Sequence, residues 1–316
     1  MIEWLRSLLL SLLPWGTEVI VSVQSWSTPF LDRFFAVCSF LGDEEFFLLL
    51  LPLVYWCFSK RAGRGLAYAL LLSAYVNSLL KHIFLIPRPA DPRIRVLRPV
   101  DPPTPSFPSG HAQDGVAVWG FLANRVRRAV GWLAAILIMF LIGFSRVWVG
   151  VHYPQDILSG WLLGILFLGL FLWLLPQAEG WLARQPPALK LALAIVLPIA
   201  GLLLHGADLR GLYPAPDAAT TMGAILGMSV GFLFEPRGVR FRVAGPWWKR
   251  LLRLVVGLLI VALFWQGPKL FLPEEMAHGL AMALRFLRYA CTGLAATLLA
   301  PWLFVRLRLA GSEASA

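Results

Sequence analysis

Ten apolar runs follow one another along the chain, at roughly 4–25, 44–59, 65–85, 110–124, 129–147, 154–175, 188–206, 218–234, 250–267 and 284–304. A bilayer crossing takes about 20 mostly apolar residues, so such a series leaves few folds open. Charged residues are 14% of the 316 and hydrophobic ones 59%, whereas soluble chains carry about 25% charge. A polar exterior cannot be assembled from this supply, and disorder is excluded more firmly. In lipid every backbone polar group needs an internal partner, which leaves helices or closed barrels. Barrel strands alternate polar and apolar positions; these runs do not. The predicted fold is all-α, a polytopic integral membrane helical bundle.

Two segments depart from the simple pattern. Pro14, Gly16, Thr17 and Glu18 interrupt the first run, which therefore crosses the membrane or lies on it. It lacks a small-residue cleavage site and reads as a retained helix. Residues 26–43, with Pro29, Asp32, Arg33 and Asp43, read as an amphipathic stretch on the membrane surface. Cys38, Cys57 and Cys291 are scattered and have no redox or metal spacing.

The net charge of +11 would suggest nucleic acid for a soluble protein. Here most cations are orientation signals, and no nucleic-acid partner is expected. With the Lys60, Arg61, Arg64 loop in the cytoplasm, strict alternation puts 17 of the 28 Lys and Arg inside, as the positive-inside rule requires. Ten spans then leave both termini inside, and nine follow if the first helix is interfacial. The outer cations gather between Lys81 and Arg98 and at Arg146. A positive cluster on the outer face needs a reason other than insertion.

Three segments on that face carry the chemistry. Lys81 and Arg88 stand seven apart at the outer end of a span, Pro108-Ser109-Gly110-His111 opens the next, and Ser145-Arg146 precedes His152 and Asp156 at a later turn. Three converging cations make a seat for a dianion, and Arg forks match phosphate oxygens. Ser109 occupies a helix N-cap position, where free N–H groups and the positive helix end favour an anion. His152 and Asp156, four apart, would share a helical face, with the carboxylate accepting the imidazole Nδ1–H. That leaves Nε2 as a nucleophile of fixed tautomer. His111 is then the second imidazole, able to protonate a leaving alkoxide. Asp114, three residues on, is placed to touch that imidazole or to hydrate the site mouth. No dense Asp/Glu/His cluster exists for Mg²⁺ or Zn²⁺, so no metal and no cofactor are expected. Arg93, Arg95 and Arg98 sit in a Pro-rich loop as solvated charges or as contacts to lipid head groups or a polar substrate group.

Together these segments resemble the signature of the type 2 phosphatidic acid phosphatase superfamily: Lys-six-Arg-Pro, Pro-Ser-Gly-His and Ser-Arg-five-His-three-Asp. The likeness covers about residues 65–175 at motif level, and the family's six-span core would occupy 1–175. The resemblance implies that His152 is the nucleophile and His111 the acid and base. It further implies that Asp156 orients His152, while Lys81, Arg88, Ser109, Gly110 and Arg146 hold the phosphate. Residues 176–316 would add about four spans of unknown role. The implied substrate is a lipid phosphate or pyrophosphate, drawn from phosphatidic acid, phosphatidylglycerol phosphate, undecaprenyl pyrophosphate and phosphorylated sphingoid bases. The expected location is a bacterial inner membrane, with membrane lipids as surroundings and the site facing outward. A phosphotransferase differs only in its acceptor pocket. A lipid-phosphate binder or transporter would need neither His152 nor Asp156. Vanadium-dependent halide oxidation shares the motifs but belongs to soluble relatives.

Overall fold

The computed structural model describes residues 2–100, 104–207, 211, 213–271 and 276–312. The order is α1 (Ile2–Ser11), α2 (Leu13–Gln24), α3 (Pro29–Phe40), α4 (Glu44–Leu53), α5 (Lys60–Phe84), α6 (Gly110–Val126), α7 (Ala129–Trp148), α8 (Pro154–Ala183), α9 (Pro187–Leu204), α10 (Pro216–Gly238), α11 (Trp247–Gln266), α12 (His278–Leu294) and α13 (Ala300–Arg306). Val54–Phe58 and Ala295–Leu299 are π-helical turns that continue α4 and α12. Among the described residues the only β pairing is an isolated bridge between Phe241 and Ser312. The chain is an all-helical integral membrane protein.

Every predicted span is helical. Among the described residues seven helices are long and apolar enough to cross a membrane, and α1 with α2, bent by 41° at their junction, makes an eighth. The other two runs, α4 and α6, are shorter. α4 has ten residues with Pro52 inside it, where a Pro removes a ladder bond, and the π-helical turn Val54–Phe58 carries the run on. α6 has 17 residues and buries Ala112, Gln113, Gly115, Val116 and Ala117. It is wrapped by protein and can carry polar residues that lipid would reject.

The helices form two compact units, one from Met1–Phe47 and Leu72–Trp173, the other from Leu48–Leu71 and Leu174–Ala316. In the first, α8 lies against the start of α6. A Cβ at Gly160 would come within 2.7 Å of the Ser109 carbonyl oxygen, so only glycine permits that approach. Ile20, Ile94, Ala112, Val147, Tyr153 and Ile157 pack into one core there. α3 is fastened to α7 by the Trp148 Nε1–H, which donates to Asp32 at 2.9 Å. The loop after α5 is stapled by buried Gln24, which donates to the Arg95 and Trp148 carbonyls, each at 2.8 Å. Its three arginines pair inside the unit, Arg93 with Glu18, Arg95 with Asp32 and Arg98 with Asp43, and thereby fasten the loop to the elements around it.

The second unit is built on a core that includes Tyr55, Trp56, Phe232, Phe241 and Phe304. Arg253, in the second turn of α11, is fully buried. Its Nη1 donates to the carbonyls of Trp56 at 3.0 Å and Val243 at 2.9 Å. Buried Glu235 accepts from Lys60 at 3.0 Å. Both charges act as internal fasteners.

Candidate active site

Three chain segments of the first unit deliver the predicted residues to one place. α5 ends at Phe84 and presents buried Lys81 in its last turn, where Nζ donates to the Pro105 carbonyl. The following loop is tied back by Ser106 N–H donating to Ile86 O at 2.8 Å. Arg88 stands in this loop with its donors spread over several acceptors. Nε reaches the Thr104 carbonyl at 2.7 Å, Nη2 the Thr104 hydroxyl at 3.0 Å, and Nη1 the Val151 carbonyl at 2.8 Å. The same Nη1 donates to His152 Nε2 at 3.1 Å.

The second segment begins with Ser109, the N-cap of α6, whose side chain accepts from Ala112 N–H at 3.4 Å. Its own N–H donates to the Asp156 carbonyl at 3.1 Å. This ties the start of α6 to the first turn of α8. Gly110 is the first helical residue, and a Cβ there would stand 3.1 Å from Asn77 Oδ1. His111 follows, and its Nε2–H donates to Asp43 Oδ1 at 2.8 Å; a carboxylate accepts only, which assigns the proton. Arg98 Nη2 lies 2.6 Å from the other Asp43 oxygen. Asp114 is held by Ser73, whose hydroxyl donates to it at 2.6 Å.

The third segment is the turn from α7 to α8. Arg146, in the last turn of α7, is buried and donates to Ser39 Oγ at 2.6 Å. Gly150 then takes a φ of +79°, and a Cβ at that position would lie 2.5 Å from the Arg95 carbonyl oxygen; both facts require glycine. His152 and Asp156 do not share a helical face as the spacing predicts. Pro154 begins α8, so His152 lies in the preceding turn and Asp156 in the first helical turn. Asp156 Oδ2 accepts from the Tyr153 N–H at 2.9 Å, the backward half of a capping box. The pairing itself matches the expectation: His152 Nδ1 lies 3.2 Å from Asp156 Oδ2. The Ser106 hydroxyl also donates to that oxygen.

His152 is 2% exposed and Asp156 fully buried. Burial first, then the charges of Arg88, Lys81 and Arg146, hold the His152 imidazole well below its ordinary pKa. The ring is therefore neutral at neutral pH, with Nδ1–H donated to Asp156 and the Nε2 lone pair facing Arg88. Arg88 is itself pushed down to about 10 by burial, against the pull of Asp156. Burial alone would raise Asp43, but the His111 hydrogen bond and the Arg98 charge outweigh it, and the carboxyl lies below its usual range.

The structure thus gathers Lys81, Arg88, Arg146, His152 and Asp156, with Ser109 fastened to the backbone of Asp156. Sequence reasoning did not assign Asp43, Arg98, Ser106, Thr104 or Ser39 to the site. Asp43 had one available signal, its place in the amphipathic 26–43 segment. Among the described residues, no group of three or more His, Cys, Asp and Glu is arranged to hold a metal ion.

Comparison with known proteins places the chain in a family. The PAP2 superfamily model matches residues 62–179, and a model described as PAP2 superfamily phosphatase, transmembrane extension, matches 219–312. Lipid phosphate phosphatase delta of Arabidopsis thaliana is 28% identical over 172 residues, which is 50% of this chain and 41% of the relative. Sphingosine-1-phosphate phosphatase 1 of Mus musculus is 27% identical over 244 residues, 70% of this chain and 56% of the relative. The chain spans about half the length of the curated relatives it matches. A transmembrane PAP2 type phosphatidylglycerolphosphate phosphatase from Bacillus subtilis aligns over 51% of this chain and 84% of its own, with 23% identity and a TM-score of 0.45. With matching models over both the motif-bearing residues 62–179 and the C-terminal helices, the chain belongs to the PAP2 superfamily.

Proposed function

We propose that this chain is a metal-independent membrane phosphatase that cleaves a lipid phosphate or pyrophosphate through a phosphohistidine on His152. The observation that carries the reading is the grip on that imidazole from both sides. Asp156 takes Nδ1, and Arg88 stands 3.1 Å from Nε2. A phosphate drawn to Arg88 therefore meets the nucleophilic lone pair. Lys81, Arg146, Ser109 and Gly110 complete the anion seat, the last two through the N-terminus of α6. His152 Nε2 attacks phosphorus, the P–O bond to the lipid breaks, and His111 gives the departing oxygen its proton. Water then attacks the phosphohistidine, with His111 taking the proton back and inorganic phosphate leaving. Asp43 keeps the His111 ring in one orientation, as Asp156 does for His152.

The relatives' names support a lipid phosphate substrate, phosphorylated sphingoid bases included. Residues 1–175 form the catalytic core in this reading, and 176–316 are an added membrane region. The Lys and Arg distribution supports an extracytoplasmic site.

The test is phosphate release from a panel of lipid phosphates by the purified full-length protein. Release should persist in EDTA and stop with vanadate, which mimics a pentacoordinate phosphoryl group. Loss on chelation, restored by Mg²⁺, would sink the metal-free mechanism. A cysteine at Val96 should label from outside intact cells with an impermeant thiol reagent, and one at Arg240 only after permeabilisation; the reverse would place the chemistry in the cytoplasm.

A further inference from the structure

We propose that the second unit carries a separate seat for the phosphate of an anionic phospholipid headgroup, built on Arg285 and Arg288 of α12. The scaffold is stiff. α10 and α12 meet backbone to backbone, and a Cβ at Gly223 would lie 2.4 Å from the Phe286 carbonyl oxygen. The stretch of α12 carrying the two arginines therefore cannot roll or slide freely.

On it, two cations stand one helical turn apart with little to satisfy them. Arg285 Nη1 reaches the Thr220 hydroxyl at 3.5 Å, the limit of a hydrogen bond. Arg288 Nε is buried and bonds no group, while its guanidinium carbon lies 5.0 Å over the Tyr289 ring. Neither arginine has an ion pair among the described residues. Like charges three apart on a helix repel, and an arginine within a membrane span costs enough that its presence marks function.

A cavity of about 140 Å³ opens against both arginines, lined otherwise by Met276, Ala281 and Met282. Two adjacent guanidinium forks match the oxygens of one phosphate, and the rest of the wall among the described residues is apolar. Leu280 and Leu287 of the same helix are 55% and 56% exposed, an apolar face suited to acyl chains. A lipid phosphodiester uses both the forks and the apolar wall; free phosphate uses only the forks. The inference is independent of the chemistry assigned to His152.

The test is titration of the purified full-length protein in detergent with dioctanoyl phosphatidylglycerol. Binding is followed by the unfolding midpoint and by native mass spectrometry. The wild type should bind saturably, and R285Q/R288Q should bind at least tenfold more weakly. Ala281→Phe, which fills the cavity and leaves every charge in place, should lose binding to the same degree and decides the matter should the double variant not fold. Unchanged affinity in the variants that fold would overturn the proposal. Inorganic phosphate that displaces the lipid at equal concentration would also overturn it, because the ligand would then be free phosphate.

Discussion

The two histidine–carboxylate pairs of the first unit are the same device built in two ways. His152 and Asp156 are four residues apart, sealed at 2% and 0% side-chain exposure, with a 3.2 Å contact. His111 and Asp43 are 68 apart in sequence, 20% and 14% exposed, with a 2.8 Å contact. The sealed carboxylate is shared with Ser106 and the Tyr153 N–H; the open one is shared with Arg98, itself 36% exposed. A sealed imidazole held at both nitrogens keeps one tautomer and one direction, which suits a nucleophile. A ring nearer the solvent can lose and regain a proton each cycle, which suits an acid and base. In the proposed mechanism the difference in burial sorts the two pairs, one bonded through Nδ1 and the other through Nε2, into two roles.

Removing each imidazole tests that sorting with the largest effects. His152→Ala should abolish turnover of any phosphate ester, because in the proposed mechanism no other group attacks phosphorus. His111→Ala should depend on the leaving group, since general acid catalysis contributes about 10²–10⁴-fold and matters only when the departing oxygen is basic. We expect a loss of that order on a lipid phosphate and a far smaller one on an aryl phosphate, with a burst of phenol and slow turnover. Equal losses on both substrates, without a burst, would take the acid role from His111. A dead His111→Ala beside a partly active His152→Ala would exchange the two assignments.

Asp156→Asn comes next. It keeps the shape but removes the charge that stabilises the imidazolium and fixes the tautomer, so kcat should fall by roughly 10²–10⁴, as for triad carboxylates. A rate near wild type would mean that Ser106, 3.4 Å from His152 Nδ1, suffices to orient the ring.

The sealed pair was legible in the sequence and the open pair was not, for a physical reason. His152 and Asp156 lie within one turn of chain, where spacing alone limits the distance between them. Asp43 meets His111 only because α3, α6 and α7 pack as they do, and no local spacing encodes a contact across 68 residues. The same holds for Ser39 beneath Arg146 and Thr104 beside Arg88. Helix positions were legible because apolar runs announce them. The shielding of α6 by protein and the π-helical continuation of α4 past Pro52 were not, because both belong to packing and not to hydropathy. The start of α8 at Pro154 was within reach, since Pro favours the first helical position.

Asp43→Asn should therefore behave as a weaker copy of His111→Ala. Removing a partner that orients a working imidazole costs about 10–100-fold where such partners have been measured, chiefly around metals. The loss should fall on lipid phosphates and spare aryl phosphates, a split that general destabilisation would not produce. The wild-type carboxyl lies below its usual range, so its contribution is present above about pH 4 and is lost only as pH falls through the folded value. Between pH 5 and 8 the ratio of variant to wild-type rate should thus be flat. A ratio that changes across that window would mean that Asp43 titrates there and trades protons itself.

Arg98→Gln should have the smallest effect, and its size decides what keeps Asp43 charged. Arg98 is 36% exposed and its partner 14%, so water and salt screen the pair; exposed ion pairs contribute about 0–1 kcal/mol. Asp43 also keeps its hydrogen bond from His111, which favours the carboxylate without help from Arg98. We expect kcat on a lipid phosphate to fall by no more than about fivefold, with the gap between variant and wild type shrinking as salt is raised. A loss as large as that of Asp43→Asn would mean that Arg98 governs the orientation of the carboxylate itself. The open pair would then be a three-membered chain, Arg98 to Asp43 to His111, and burial would no longer be the feature that separates it from the sealed pair.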